Sequence, residues 1–169
     1  ELERRREIEK ELQHALKDLE QFELHYQTQH DESGQCIGAE ALIRWNSPYR
    51  LNVVPNQFIP IAEETGLMLD LGRWVLRRAC TDIRRIQDSK LPSSFRKVSV
   101  NVSAVQFNQD DFVGVLLGII TETGANPELL AIELTESTLI RNKETAISKM
   151  TALRSHGIEV AIDDFGTGF

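Results

Sequence analysis

Glu40, Asn101, Glu133 and Asp163 each stand alone as a polar donor in an alternating apolar stretch: "AEALIRW", "VSVNVS", "AIELTE" and "VAIDD". Successive side chains of a strand point to opposite faces, so parity sorts them. Ala41 and Ile43 oppose Glu40, and Val98, Val100 and Val102 oppose Asn101. Ile132 and Leu134 oppose Glu133, and Val160 and Ile162 oppose Asp163. A solvated strand face scatters its polar groups. Here each of four successive strands aims one carboxylate or carboxamide away from its apolar face, near its C-terminal end. The donors are all oxygens, with no His or Cys, which suits a hard divalent cation such as Mg²⁺ or Mn²⁺. Asp164 follows Asp163 directly, leaves the strand register and can turn toward the same place. A carboxylate pair of that kind can flank a second ion, about 3.5–4 Å from the first in two-metal sites. Such a site acidifies a water and clamps a phosphoryl oxygen. Arg44 shares the face of Glu40, and its planar fork suits a phosphate. The structural alternative is a layer of carboxylates paired with basic residues. Unpaired buried charge is costly, and Arg44 is read as the only basic residue among the inward positions.

Those donors need a scaffold that brings strand ends together. The first twenty residues, "ELERRREIEKELQHALKDLE", lack Gly and Pro, and Leu2, Ile8, Leu12, Leu16 and Leu19 fall roughly on one helical stripe. They read as a linker helix over 1–20, either an ordinary lead-in or a signalling coiled coil from an upstream domain. "FELHYQ" then alternates as a strand, Asp31 to Gly34 form a turn, and "CIGAEALIRW" returns antiparallel. Beyond it helices are expected over 57–65, 67–87, 110–123 and 144–155, and strands over 97–103, 129–136 and 159–164. Strands alternating with helices at about thirty residues per unit predict βαβ crossovers and a parallel sheet. In a parallel α/β barrel the C-terminal strand ends form the mouth where sites are built, and the four donors would converge there.

The 169 residues have one-domain length, and 41% hydrophobic content supplies a core. A net charge of −7 argues against a binder of polymeric nucleic acid or of membrane surfaces. It leaves room for a small anionic ligand, because bound cations reverse the local sign. Cys36 and Cys80 form no CxxC and read as reduced thiols of a cytoplasmic domain. No apolar run is long enough to cross a bilayer, although the domain could be the cytoplasmic part of a membrane-anchored protein. The four histidines are dispersed without ligand spacing, and "DFG" at 164–166 lacks the other kinase motifs.

With these residues in view, the chain resembles the EAL-domain family of cyclic di-GMP phosphodiesterases. Glu40-Ala41-Leu42 is the name-giving triplet, and "FELHYQ", "FIPIAEETGL", "LGRWVLRRAC", "VNVSAVQF", "IELTES" and "IDDFGTGF" match in order from about residue 21 to the last. The resemblance implies a TIM-like (β/α)₈ barrel with an antiparallel first strand, of which residues 21–169 hold the portion through the fifth strand. It implies Mg²⁺- or Mn²⁺-dependent hydrolysis of cyclic di-GMP to the linear dinucleotide pGpG. Carried over by motif, Glu40, Asn101, Glu133, Asp163 and Asp164 resemble metal ligands. Glu40, Asp163 and Asp164 would act in catalysis through the water they help to activate. Gln27, Leu42 and Arg44 resemble substrate contacts, and Glu136 resembles the anchor of the loop beginning at Phe165.

There are departures. Thr28 stands where the family reads "YQP". The family's K-x-D lysine, a later metal-binding glutamate and a substrate-side glutamine are not in these 169 residues, so the isolated chain is expected to be inactive. The expected partners are cyclic di-GMP, a second copy in a homodimer of the parent, and an upstream sensor or diguanylate-cyclase-like domain. The competing reading is an EAL-like receptor or interaction module that binds cyclic di-GMP without turnover.

Overall fold

The computed structural model describes residues 1–49 and 53–163, with only the backbone of Asp163. Its sheet opens with an antiparallel hairpin, β1 (Phe22–His30) and β2 (Cys36–Trp45). The turn between them is tied by Asp31, whose Oδ1 accepts from the Ser33 amide (2.9 Å), the Ser33 hydroxyl (2.7 Å) and the Gln35 amide (3.0 Å). Gly34 supplies the left-handed residue, at φ 83°. Three parallel strands follow, β3 (Lys97–Asn101), β4 (Leu130–Thr135) and β5 (Glu159–Asp163), and the order in the sheet is the order in the chain.

Helical crossovers join the parallel strands. α2 (Pro55–Thr65) and α3 (Met68–Ile86) lead from β2 to β3, and α4 (Ala104–Phe107) and α5 (Phe112–Thr123) from β3 to β4. α6 (Ser137–Ile140) and α7 (Lys143–Ser155) lead on to β5. The apolar strand parity is buried against these helices: Val98, Val100, Ile132, Leu134 and Val160 form one core with Leu76, Ala79, Ile83, Leu116 and Ile119. α3, α5 and α7 therefore cover one face of the sheet, and the other face carries the polar residues. These are the βαβ crossovers and the parallel sheet that the alternation predicts.

The first helix, α1 (Leu2–Ala15), presents a narrower stripe than the leucine spacing suggests. Ile8, Leu12 and Ala15 are buried in a second core with Phe22, Trp45, Phe58 and Ile61, whereas Leu2 and Leu19 are 76% and 42% exposed. The helix ends before Leu19, which lies in a short 3₁₀ turn over 19–21. Aromatic edges knit this core: Trp45 meets Phe58 at 5.4 Å and 81°, and Phe22 meets Trp74 at 5.8 Å. β3 also stops two residues earlier than its alternation suggests. Ser103 leaves the ladder to cap α4, accepting from the Gln106 amide at 3.2 Å.

Candidate functional site

Strand register places the donors. On β2 and β3, Glu40 is level with Ser99; on β3 and β4, Asn101 is level with Glu133; on β4 and β5, Thr135 is level with Asp163. The level of Glu40 continues through Ser99 and Ala131 to Glu159, so Asp163 lies four residues beyond it across three strand steps. The donors thus follow a slanted line close to the one-residue-per-strand stagger of a barrel with eight strands and a shear of eight. In a tilted sheet, such a line runs along the rim.

Two of the donors touch. The Asn101 Nδ2 donates to Glu40 Oε1 at 2.9 Å, joining side chains 61 residues apart in sequence. Glu133 stands beside Asn101 in register and on the same face. Gln27 lies opposite Glu40 across the hairpin, which puts it on this face too. Leu42 and Arg44 line a cavity of about 240 Å³ together with Asn101, Ile59 and Glu63. The Arg44 Nη1 donates to the Ile43 carbonyl at 2.9 Å, which turns the guanidinium back along its own strand. Burial pushes the Glu63 carboxyl up from its ordinary range. Glu136 directly follows β4 and opens α6, so it sits at the same rim as the strand ends. The side chain of Asp163 and all of Asp164 lie outside the described residues, as does the loop from Phe165.

Arg44 is not the only inward basic residue: Lys97 shares the face of Ser99 and Asn101, and its Nζ lies 3.1 Å from Glu159 Oε2. That pair joins the first residues of β3 and β5 across β4, passing the fully buried Ala131. A long side chain crosses a strand this way only where the residue beneath it is small. The parity of "KVSVN" carried this signal. Glu23 and His25 also share the face of Gln27, and His25 Nε2 lies 2.8 Å from Glu23 Oε1. Hydrogen bonds from His25 and then Asn46 hold the Glu23 carboxyl below its usual value.

The donor set fits a hard divalent cation in chemistry: two carboxylates and a carboxamide at neighbouring strand ends, all oxygens. Ser99 Oγ, on the same face and level with Glu40, is the buried side-chain oxygen without a hydrogen-bond partner among the described residues. An orphaned hydroxyl there marks this face as built for more polar groups than the strands themselves supply. Among the described residues no three His, Cys, Asp or Glu side chains form a metal cluster. The described members of the set include only two carboxylates, the third donor being an amide.

Comparison with known proteins decides the family. The EAL domain matches residues 9–169. The chain belongs to the EAL-domain family. Its EAL sequence is 36% identical over 160 residues to the bifunctional diguanylate cyclase/cyclic di-GMP phosphodiesterase MucR of Pseudomonas aeruginosa, covering 94% of this chain and 23% of MucR. It is also 36% identical over 166 residues to an uncharacterized signaling protein of Caulobacter vibrioides, covering 98% of this chain and 20% of that one. Among solved structures, the MucR phosphodiesterase in complex with cyclic di-GMP superposes with a TM-score of 0.76 at 35% identity, over 88% of this chain and 62% of that one. The EAL enzyme Bd1971, in a form bound to cAMP and cyclic di-GMP, gives 0.85 at 33% identity, over 98% and 45%. The EAL chain described here thus spans about a fifth of the length of its curated relatives.

Proposed function

We propose that this chain is part of a metal-dependent phosphodiesterase domain that hydrolyses cyclic di-GMP to pGpG. The observation that carries the reading is the Asn101–Glu40 contact at the strand ends, with Glu133 in register beside it and an apolar-walled cavity opening next to it. Glu40, Asn101 and Glu133, joined by Asp163 and Asp164, would hold Mg²⁺ or Mn²⁺. When bound, such cations acidify water and neutralise phosphoryl charge. The chain's own residues do the rest. Gln27, Leu42 and Arg44 bind the dinucleotide: the Arg44 fork takes a phosphate, and Leu42 with Ile59 offers apolar walls to a base. Glu40 orients the Asn101 amide by accepting its Nδ2 hydrogen bond, and the amide oxygen would be the atom offered to the cation. Glu136, at the head of α6, anchors the loop that begins at Phe165. A homodimer and an upstream cyclase-like or sensor domain in the cytoplasm belong to the same proposal. Among the described residues, no helix is long and apolar enough to cross a membrane.

The test uses the protein with its complete EAL domain, Mn²⁺ and cyclic di-GMP, following pGpG. Glu40→Ala should lower turnover by about a hundredfold or more, because losing a direct ligand exceeds the 10–100-fold typical of outer partners. Its circular dichroism should be unchanged. A variant hydrolysing at the parental rate removes Glu40 from the ligand set. Tight binding with no turnover in the unmutated protein makes it a receptor instead.

A further inference from the structure

Pro55, Ile59 and Glu63 stand four residues apart on α2, so they form one ridge, and all three line the cavity beside Arg44. Another face of the helix is turned to the core, where Phe58, Ile61 and Ala62 are buried. Glu64, one residue on, pairs with Arg5 on α1. Glu63 has no such partner. Among the described residues neither a cation nor a hydrogen-bond donor shifts its carboxyl, and burial alone pushes it up. Arg44, the cation of the same cavity, turns its Nη1 to the Ile43 carbonyl.

A carboxylate is unfavourable there for two reasons. A half-buried position strips part of its hydration. It also stands in the last turn of α2, just ahead of the left-handed Gly66, where a helix presents its negative end. Packing therefore does not account for a glutamate at this place, and the cavity walls show what it faces. Leu42, Ile59, Met68 and Val75 are apolar, a lining that suits the flat of an aromatic ring. The volume, about 240 Å³, falls below the ~300–1,000 Å³ that encloses a drug-sized ligand. It takes one base and not a whole dinucleotide. Like charges repel strongly where burial lowers the dielectric, so phosphates keep to Arg44 and the strand ends. Glu63 is left facing the base.

We propose that Glu63 is the residue that selects guanine, its two carboxylate oxygens accepting from N1–H and from the N2 amino group. This rests on the cyclic di-GMP activity proposed above. An ionised carboxylate only accepts hydrogen bonds, and guanine offers two adjacent donors on its Watson–Crick edge. Adenine offers its N6 amino group beside the N1 lone pair, so one carboxylate oxygen would meet a lone pair. A site built to hydrogen-bond one group rejects the analogue that lacks it, because the site's own polar atom is then left unpaired.

The experiment compares cyclic di-GMP with cyclic di-AMP on the protein with its complete EAL domain. Affinities are read by calorimetry in EDTA, and with Mn²⁺ as KM for cyclic di-GMP and Ki for cyclic di-AMP. Glu63→Gln keeps the size of the side chain but replaces one acceptor by a donor. It should weaken cyclic di-GMP about tenfold or more, because hydrogen bonds to a charged group are the strong ones. Cyclic di-AMP should bind no more weakly than before, so the preference for guanine narrows by the same factor. Tm should hold or rise, since a half-buried charge at a helix C-terminus is gone. Equal losses for both dinucleotides make Glu63 a support for Arg44 or for the fold, and overturn the selection of guanine. An unchanged affinity for cyclic di-GMP in the folded variant overturns it too. If the unmutated protein neither binds nor hydrolyses cyclic di-GMP, the function proposed above falls, and the role of Glu63 with it.

Discussion

At the scale of single residues, position within the sheet decides what each polar group does. Glu40 and Glu159 share a register level, yet Glu40 meets an amide at the site and Glu159 meets Lys97. Burial separates the two thiols in the same way: it pushes Cys80 up to about 12, so that it is an inert core atom, while Cys36 remains partly exposed. Asp31 is the residue whose ionisation the fold uses most plainly. Hydrogen bonds from Ser33 and then the Gln35 amide hold its carboxyl below the ordinary value, although it is exposed. A depressed folded pKa means the turn's stabilisation is fully present above the ordinary aspartate range, near 3.9. It is lost as pH falls through the lowered value. An NMR titration of the Ser33 amide should therefore show a midpoint below the ordinary range, absent in Asp31→Ala. A midpoint at or above that range would break the assignment.

At the scale of elements, α1 is packed into the fold of the domain. Leu12 is fully buried against the core containing Trp45 and Phe58, Ser47 Oγ lies 3.3 Å from Glu11 Oε2, and Arg5 pairs with Glu64 on α2. The exposed pairs add little, so the apolar stripe carries the docking. Leu12→Ala should cost about 2–5 kcal/mol, as buried leucine truncations do. Leu19→Ala, at a residue 42% exposed, should stay within about 0.5 kcal/mol. Denaturant unfolding of the complete domain measures both. A Leu12→Ala variant as stable as the parent would make α1 a detachable lead-in. The adjoining face of α2, with Pro55, Ile59 and Glu63, lines the cavity beside Arg44, so α1 also backs one wall of the candidate site.

At the scale of the whole molecule, the sheet has two edges among the described residues, β1 and β5, and its polar face is open. A closed barrel fills that face with layers of side chains and has no edges. On the proposed function a preorganised site needs that face filled, so the polypeptide 1–169 by itself should turn over cyclic di-GMP at least about a hundredfold more slowly than a protein whose EAL barrel is closed. Side-by-side assays with Mn²⁺ measure the ratio. Comparable rates would show that these residues contain every catalytic group.

The division of the chain into strands and helices follows from its own periodicities, because one-sided burial writes a two-residue or 3.6-residue rhythm into the chain. β2, for instance, coincides with "CIGAEALIRW" from end to end. Parity likewise revealed which face Glu40, Asn101 and Glu133 share, a property local to each strand. α4 and α6 were not legible, since four residues are too few to show a helical period. Nor was the reach of Lys97 across Ala131 to Glu159, or the slot that Gly72 leaves for Gln106, because each depends on side chains far apart in sequence. The levels at which the donors stand, and the contact between Asn101 and Glu40, were decided by register. Register comes from packing whole strands against one another, and no single stretch of sequence contains it.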